Sequence, residues 1–238
     1  MQGRAALAFR TEAAIPRRMS SPFDDIRALI GQSATQGPAA AERDGPLLAA
    51  GWIGAWRGKA KVMRPILSLY AGAHAGGDAA ATRAVLEAIA AGEAPVARGA
   101  SHLGAGLDVY DLALDQPLPS AEAGPTMSER ECAATMAFGM EVLAKQPDLL
   151  APVGIGPGAD EAARALLAAL GSGGDPLELL RRWGGRETAA VLGAIVGARS
   201  QSIPVLLDGL PALAAACVLA AVDPAAVAHC RLAGSAPT

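Results

Sequence analysis

The chain has 238 residues, 52% of them apolar, and a formal net charge of −3 at neutral pH. That much apolar side chain excludes a disordered polypeptide and fits one or two domains burying roughly 70–75% of the surface the unfolded chain exposes. Aromatics make up only 3%, and the longest basic runs are the pairs Arg17-Arg18 and Arg181-Arg182, so nothing resembles the electrostatic footprint of a nucleic-acid or anionic-membrane binder. The longest uncharged stretch, Gly209 to Val222, contains Pro211 and falls short of the roughly 18–20 residues a membrane-spanning helix needs. Cys132, Cys217 and Cys230 lack CxxC spacing, which points away from a disulfide framework or a zinc site and toward reduced, buried thiols in a cytoplasmic protein. No metal and no cofactor is expected.

Residues 1–20 have no clear period and read as a disordered tail. From Ser21 the pattern turns helical: Ser21 can cap, Pro22 suits the first turn, and Asp24 and Asp25 complement the positive helix end, with a stop expected near Gly31. Pro46 to Arg57 reads as a second helix with Trp52 and Trp56 on its apolar side. These two helices form a helical appendage over 21–60, ahead of a sheet core over 61–238.

In that core, short β-type runs alternate with amphipathic segments, which predicts a three-layer α/β domain with a mainly parallel sheet flanked by helices. The strands fall near 65–70, 107–112, 150–155 and 203–207. The helices fall at Thr82 to Ala91, Ser128 to Lys145 with a capping box from Ser128 to Glu131, Ala159 to Leu170, Pro176 to Trp183, Glu187 to Arg199 and Pro211 to Val222.

Three features at strand ends are candidates for chemistry. The run Gly154-Ile-Gly-Pro-Gly158 lies between a strand and a helix, where an α/β protein binds phosphate, so Gly154, Gly156 and Gly158 are candidate substrate contacts. Against that reading, Asp160 and Glu161 fall in the first turn of the next helix, where they satisfy the helix end themselves and repel an anion. Asp208 follows the buried run Val205-Leu-Leu, either as a ligand contact or as the cap of the following helix. His74 also follows a strand end, with no acid partner nearby in sequence; His102 and His229 read as surface or loop residues.

The run from Trp183-Gly-Gly-Arg-Glu187 to Ile203-Pro-Val-Leu-Leu-Asp-Gly209 resembles the nicotinate-nucleotide–dimethylbenzimidazole phosphoribosyltransferases, the CobT family. The order of Gly106 to Asp115, Gly124-Pro-Thr-Met-Ser128 and Val153 to Gly158 is similar to that family too. The resemblance covers about residues 22–238 and is specific at 184–209. It implies transfer of the ribose phosphate of nicotinate mononucleotide to a nitrogen of 5,6-dimethylbenzimidazole for the lower ligand of cobalamin, a homodimer, and substrate contacts at Gly184, Gly185 and His74. Trp52 and Trp56 are candidates for the dimer contact.

The resemblance also implies losses. The family's general-base glutamate lies in a C-terminal segment beyond the point where this chain stops, and shortenings fall at 170–184, near the phosphate, and at 117–124. Glu187 and Asp208 are the acids nominated to replace the base. Three readings stay open: a minimal enzyme, a catalytically impaired member that binds nucleotide or azole, and an interaction protein that keeps only the fold.

Overall fold

The structure is a computed structural model in which residues 21–37 and 46–234 are described, the side chains of 46–49 excepted. Residues 1–20, read above as a tail, lie outside the described residues. Five strands, β1 (Pro65–Ala71), β2 (Gly106–Asp111), β3 (Leu149–Ile155), β4 (Val205–Leu207) and β5 (Cys230–Leu232), form one sheet in the order β2-β1-β3-β4-β5. Every pairing is parallel. The anticipated strands are there, and β5, three residues long, is an addition that the sequence pattern does not reveal.

Helices α1 (Pro22–Ala34) and α2 (Pro46–Arg57) precede the sheet, α3 (Ala79–Ala90) and α4 (Pro95–His102) join β1 to β2, and α5 (Glu129–Gly139) leads through a 3-10 turn, Met140–Lys145, to β3. Helices α6 (Ala159–Gly171), α7 (Pro176–Trp183) and α8 (Arg186–Ser200) join β3 to β4, and α9 (Leu210–Val222) leads to β5. Several expectations need correction. The first helix passes Gly31, where nothing crowds the glycine, and ends at Ala34. The long helix expected to Lys145 tightens into 3-10 geometry after Gly139. The full capping box belongs to Ser21 and Asp24, since Ser128 accepts from the Glu131 amide while the Glu131 carboxylate turns to Arg186.

Helix α8 sets the core. Every residue from Glu187 to Arg199 is buried, so the helix is enclosed on all sides and carries no amphipathic stripe. Its close neighbour is α5, and glycine makes the approach possible: a Cβ on Gly193 would lie 1.8 Å from the Met136 carbonyl oxygen, and one on Gly139 would lie 1.9 Å from that of Ala190. Phe23, Ile26 and Ile30 of α1 belong to the same core cluster as Leu150, Leu192 and Ile195, so α1 is part of the main packing. On the opposite face of the sheet the covering layer is thin. There α4 packs on β2, leaving an apolar groove of ≈ 450 Å³ lined by Leu67, Leu103, Leu149, Ala151 and Leu206.

The strand order places the site. The chain leaves β1 toward β2 on one side and returns to β3 on the other, so the sheet has its switch point between the carboxyl ends of β1 and β3, where open α/β sheets leave a crevice for ligands. The segment after β1 carries His74, and the segment after β3 is the glycine loop.

Candidate functional site

The two loops at the switch point are laced together. The amide of Gly72 donates to the Ile155 carbonyl at 3.0 Å, and that of His74 donates to the Pro157 carbonyl at 3.2 Å. The same segment is tied to the loop after β2, where the Ala75 amide donates to the Leu118 carbonyl at 2.8 Å. His74 is thereby fixed by neighbours on both sides before its side chain makes any contact.

The glycines of the 154–158 loop answer to packing. Gly156 has φ +132, and a Cβ there would lie 1.9 Å from the Gly72 carbonyl oxygen. Gly158, at φ +83, is the N-cap of α6, and its Cβ would meet the His74 Cβ at 2.8 Å. A Cβ on Gly154 would fall 2.7 Å from Pro211 and 3.1 Å from the Glu187 Cγ. The space these glycines spare is filled by the protein itself, which differs from a loop left open for a phosphate. Asp160 and Glu161 do fall in the first turn of α6, yet the helix has no side-chain cap.

Glu187 is the centre of the arrangement. It is the second residue of α8, where the positive end of the helix favours a carboxylate, and it is 0% exposed. Its Oε1 lies 3.0 Å from the His74 Nε2, while Oε2 is buried with no hydrogen-bond partner. Gly185 and Gly72 make room for it: Cβ atoms there would lie 1.9 Å from Oε1 and 2.2 Å from Oε2. His74 therefore does have an acid partner, 113 residues away in sequence, which corrects the reading that none was near. Gly184 sits one residue before the α8 N-cap, and its carbonyl accepts a hydrogen bond of 2.8 Å from the Thr126 hydroxyl; a Cβ at Gly184 would strike Leu180.

His74 lines a cleft of ≈ 420 Å³ together with Pro119, Ser120, Glu122, Thr126, Gly158, Glu161, Ala162 and Trp183. The rim at 119–124 is held by Arg182, whose Nη1 donates to the Ala121 and Gly124 carbonyls while its guanidinium lies 4.7 Å over the Trp183 ring. Arg186 is engaged with Glu131 at 2.7 and 2.9 Å and with the Gln116 carbonyl at 2.7 Å. Among the described residues lining the cleft, the ionisable groups are therefore His74 and two carboxylates, with no lysine or arginine.

Of the residues nominated from sequence, Glu187, His74, Gly154, Gly156, Gly158 and Gly185 come together, with Gly184 adjoining. Asp208 is exposed at the end of β4 and outside the cleft lining. Nor does it cap the next helix, because Gly209 is the N-cap of α9 and makes no side-chain bond. Gly72, Thr126 and Trp183 were not anticipated; the strand order is the signal that would have pointed to Gly72. His229 is corrected from a surface or loop residue to a fully buried one, its Nε2 3.0 Å from the Ile195 carbonyl. Trp52 and Trp56 are each 4% exposed and so withdrawn from any contact surface. Among the described residues no group of three or more His, Cys, Asp or Glu is placed to hold a metal, and no helix is long and apolar enough to cross a membrane.

A family model described as phosphoribosyltransferase matches residues 49–174 and 171–237. The nicotinate-nucleotide–dimethylbenzimidazole phosphoribosyltransferases of Sinorhizobium medicae and Rhizobium meliloti are 38% and 36% identical to this chain, over 89% of it and 80% of each relative. Each alignment spans 269 positions, more than the 238 residues here, so the relatives carry internal segments without a counterpart in this chain. The two stretches matched by the family model meet at 171–174, inside the region where a shortening is expected. Two crystal structures of the Thermus thermophilus protein superpose with TM-scores of 0.70 and 0.71 at 21% and 20% identity, over 87% of this chain and 81% of that one, and share the fold. With more than a third of its residues identical to those relatives over most of its length, the chain belongs to the nicotinate-nucleotide–dimethylbenzimidazole phosphoribosyltransferase family.

Proposed function

We propose that this chain is an impaired phosphoribosyltransferase of the cytoplasm, which takes a nicotinate nucleotide and an azole base into the cleft beside His74 and transfers the ribose phosphate slowly. The family membership supports the reaction type. The observation that carries the impairment is the charge of the cleft, where Glu122 and Glu161 belong to the lining and, among the described residues, no lysine or arginine does, the nearest cation to Glu161 being Arg164 on the exposed side of α6 at 3.9 Å. A nucleotide phosphate binds best where fixed positive charge or free helix amides meet it. Here Asp160 and Glu161 stand in the first turn of α6, where their charge opposes an anion at its amide end, and Arg182 and Arg186 are bound to protein carbonyls and to Glu131. The apolar lining from Pro119, Ala162 and Trp183 suits the flat azole better than the phosphate.

The test is product formation from nicotinate mononucleotide and 5,6-dimethylbenzimidazole at saturating concentrations. We expect turnover on the order of 10²–10⁴-fold below 1 per second, the size of loss that misplaced substrates and weakened proton transfer produce. Turnover near 1 per second would overturn the impairment. Association as a homodimer is part of the proposal; light scattering at tens of micromolar should give twice the chain mass, and a monomeric mass would sink that part. With Trp52 and Trp56 buried, the contact must use another surface.

A further inference from the structure

We propose that His74 is the proton acceptor of this site and that Glu187 is its positioning residue, a reading that rests on the phosphoribosyl transfer proposed above. The first support is the hydrogen-bond pairing of the ring. Nε2 faces Glu187 Oε1 at 3.0 Å, and a carboxylate at the positive end of α8 is an acceptor, so the proposal places the proton on Nε2 and the lone pair on Nδ1. The second is access. Among the described residues Nδ1 has no hydrogen-bond partner and is not sealed from its surroundings, and His74 lines the cleft.

The third support is the depth of Glu187. At 0% exposure, walled by Gly72 and Gly185, this carboxylate has no path to a ligand and acts only through the imidazole. It is carried by the buried helix α8, while His74 is pinned through backbone bonds to the loops after β2 and β3. The geometry is that of a base whose tautomer and direction are set by a buried acid.

The step balances without another reagent. The azole nitrogen that carries no hydrogen forms its bond to C1′ of the ribose as the C1′–N bond to nicotinate breaks, and the bonding pair leaves with the nicotinate nitrogen. The N–H proton of the azole passes to His74 Nδ1, which becomes an imidazolium held against Glu187, and is later released to water.

The tautomer is read directly by imidazole ¹⁵N NMR on the full chain, with benzimidazole as the probe. The expected result is a protonated Nε2 in the free protein, an Nδ1 signal that moves when benzimidazole binds, and a mixture of tautomers in Glu187→Gln but not in Glu187→Asp. In turnover assays His74→Gln should lower kcat on the order of 10²-fold with KM within about a factor of two. A protonated Nδ1 in the free protein, benzimidazole binding that leaves Nδ1 unmoved, or an unaltered kcat in His74→Gln would each overturn the assignment. The complete absence of turnover in the unaltered chain would instead remove the transfer reading, and the proton-accepting role with it, whatever the tautomer.

Discussion

The Cα of Gly156 sits against the carbonyl of Gly72 so closely that a Cβ on Gly156 would lie 1.9 Å from that oxygen. The contact joins the loop after β3 to the loop after β1, the two segments that carry the site. Gly156→Ala combines a steric clash with a φ of +132 that L side chains rarely adopt. We expect a loss of about 2–4 kcal/mol in denaturant unfolding, together with a weaker response of the His74 imidazole signals to benzimidazole. Unchanged stability would mean that the two loops separate freely.

The seam between α5 and α8 should be equally intolerant, for a reason remote from the site. A Cβ on Gly193 would lie 1.8 Å from the Met136 carbonyl oxygen, which is backbone and cannot swing aside. Gly193→Ala should therefore cost about 1–3 kcal/mol by overpacking, despite the gain of roughly 1 kcal/mol in helix propensity that alanine brings at an exposed position. Gly31→Ala in α1, where nothing crowds the glycine, is the control and should be neutral or stabilising; thermal or urea melts of the two variants decide it.

Burial holds the His229 imidazole neutral, with its pKa down from 6.5 to about 3. The unfolded chain takes up a proton there below about 6.5 while the folded chain does not, so the folded state loses stability as pH falls from 6.5 toward 3. Each pH unit inside that window costs about 1.4 kcal/mol. His229→Gln, followed by urea unfolding at several pH values, should flatten the acid side of the stability profile by about one proton; an unchanged slope would contradict the buried neutral imidazole.

All three cysteines are free. Burial raises the thiol pKa of Cys132 and Cys230, and that of the half-buried Cys217, above the ordinary value of 9.0, so little thiolate is available for reaction. Ellman's reagent in mildly alkaline buffer should modify Cys217 slowly in the native protein and all three residues in denaturant. Rapid reaction of Cys132 or Cys230 in the folded state would show that the core opens locally.

Much of this architecture is legible from local pattern. Runs such as Pro65 to Tyr70 and Leu149 to Ile155 read as buried strands, and Pro22, Pro46 and Pro176 mark helix starts. The short β5 is not legible, because three residues carry no period and the strand exists through pairing with β4. The helix at 95–102 escapes notice because its eight residues are mostly small or polar and carry too few apolar positions to show a period. At the site, the family resemblance points to Glu187 and the glycines, but the pairing of Glu187 with His74 depends on strand order, which brings together segments 113 residues apart. Asp208 shows the converse: at the end of β4 it is exposed and outside the lining of the cleft, so a strand-end position alone does not bring a residue there.

The two halves of the His74–Glu187 pair are anchored very differently. Glu187 stands on α8, whose amides lie in the best-buried part of the molecule, whereas His74 hangs from a loop held by a few bonds at its backbone. In hydrogen exchange, α8 should be among the last segments to take up deuterium, and the 72–77 and 156–158 loops should exchange by local opening at far lower cost. Ligand occupancy would then slow exchange in the loops and leave α8 untouched. The acid would serve as a fixed post against which a breathing loop registers its histidine each time it closes.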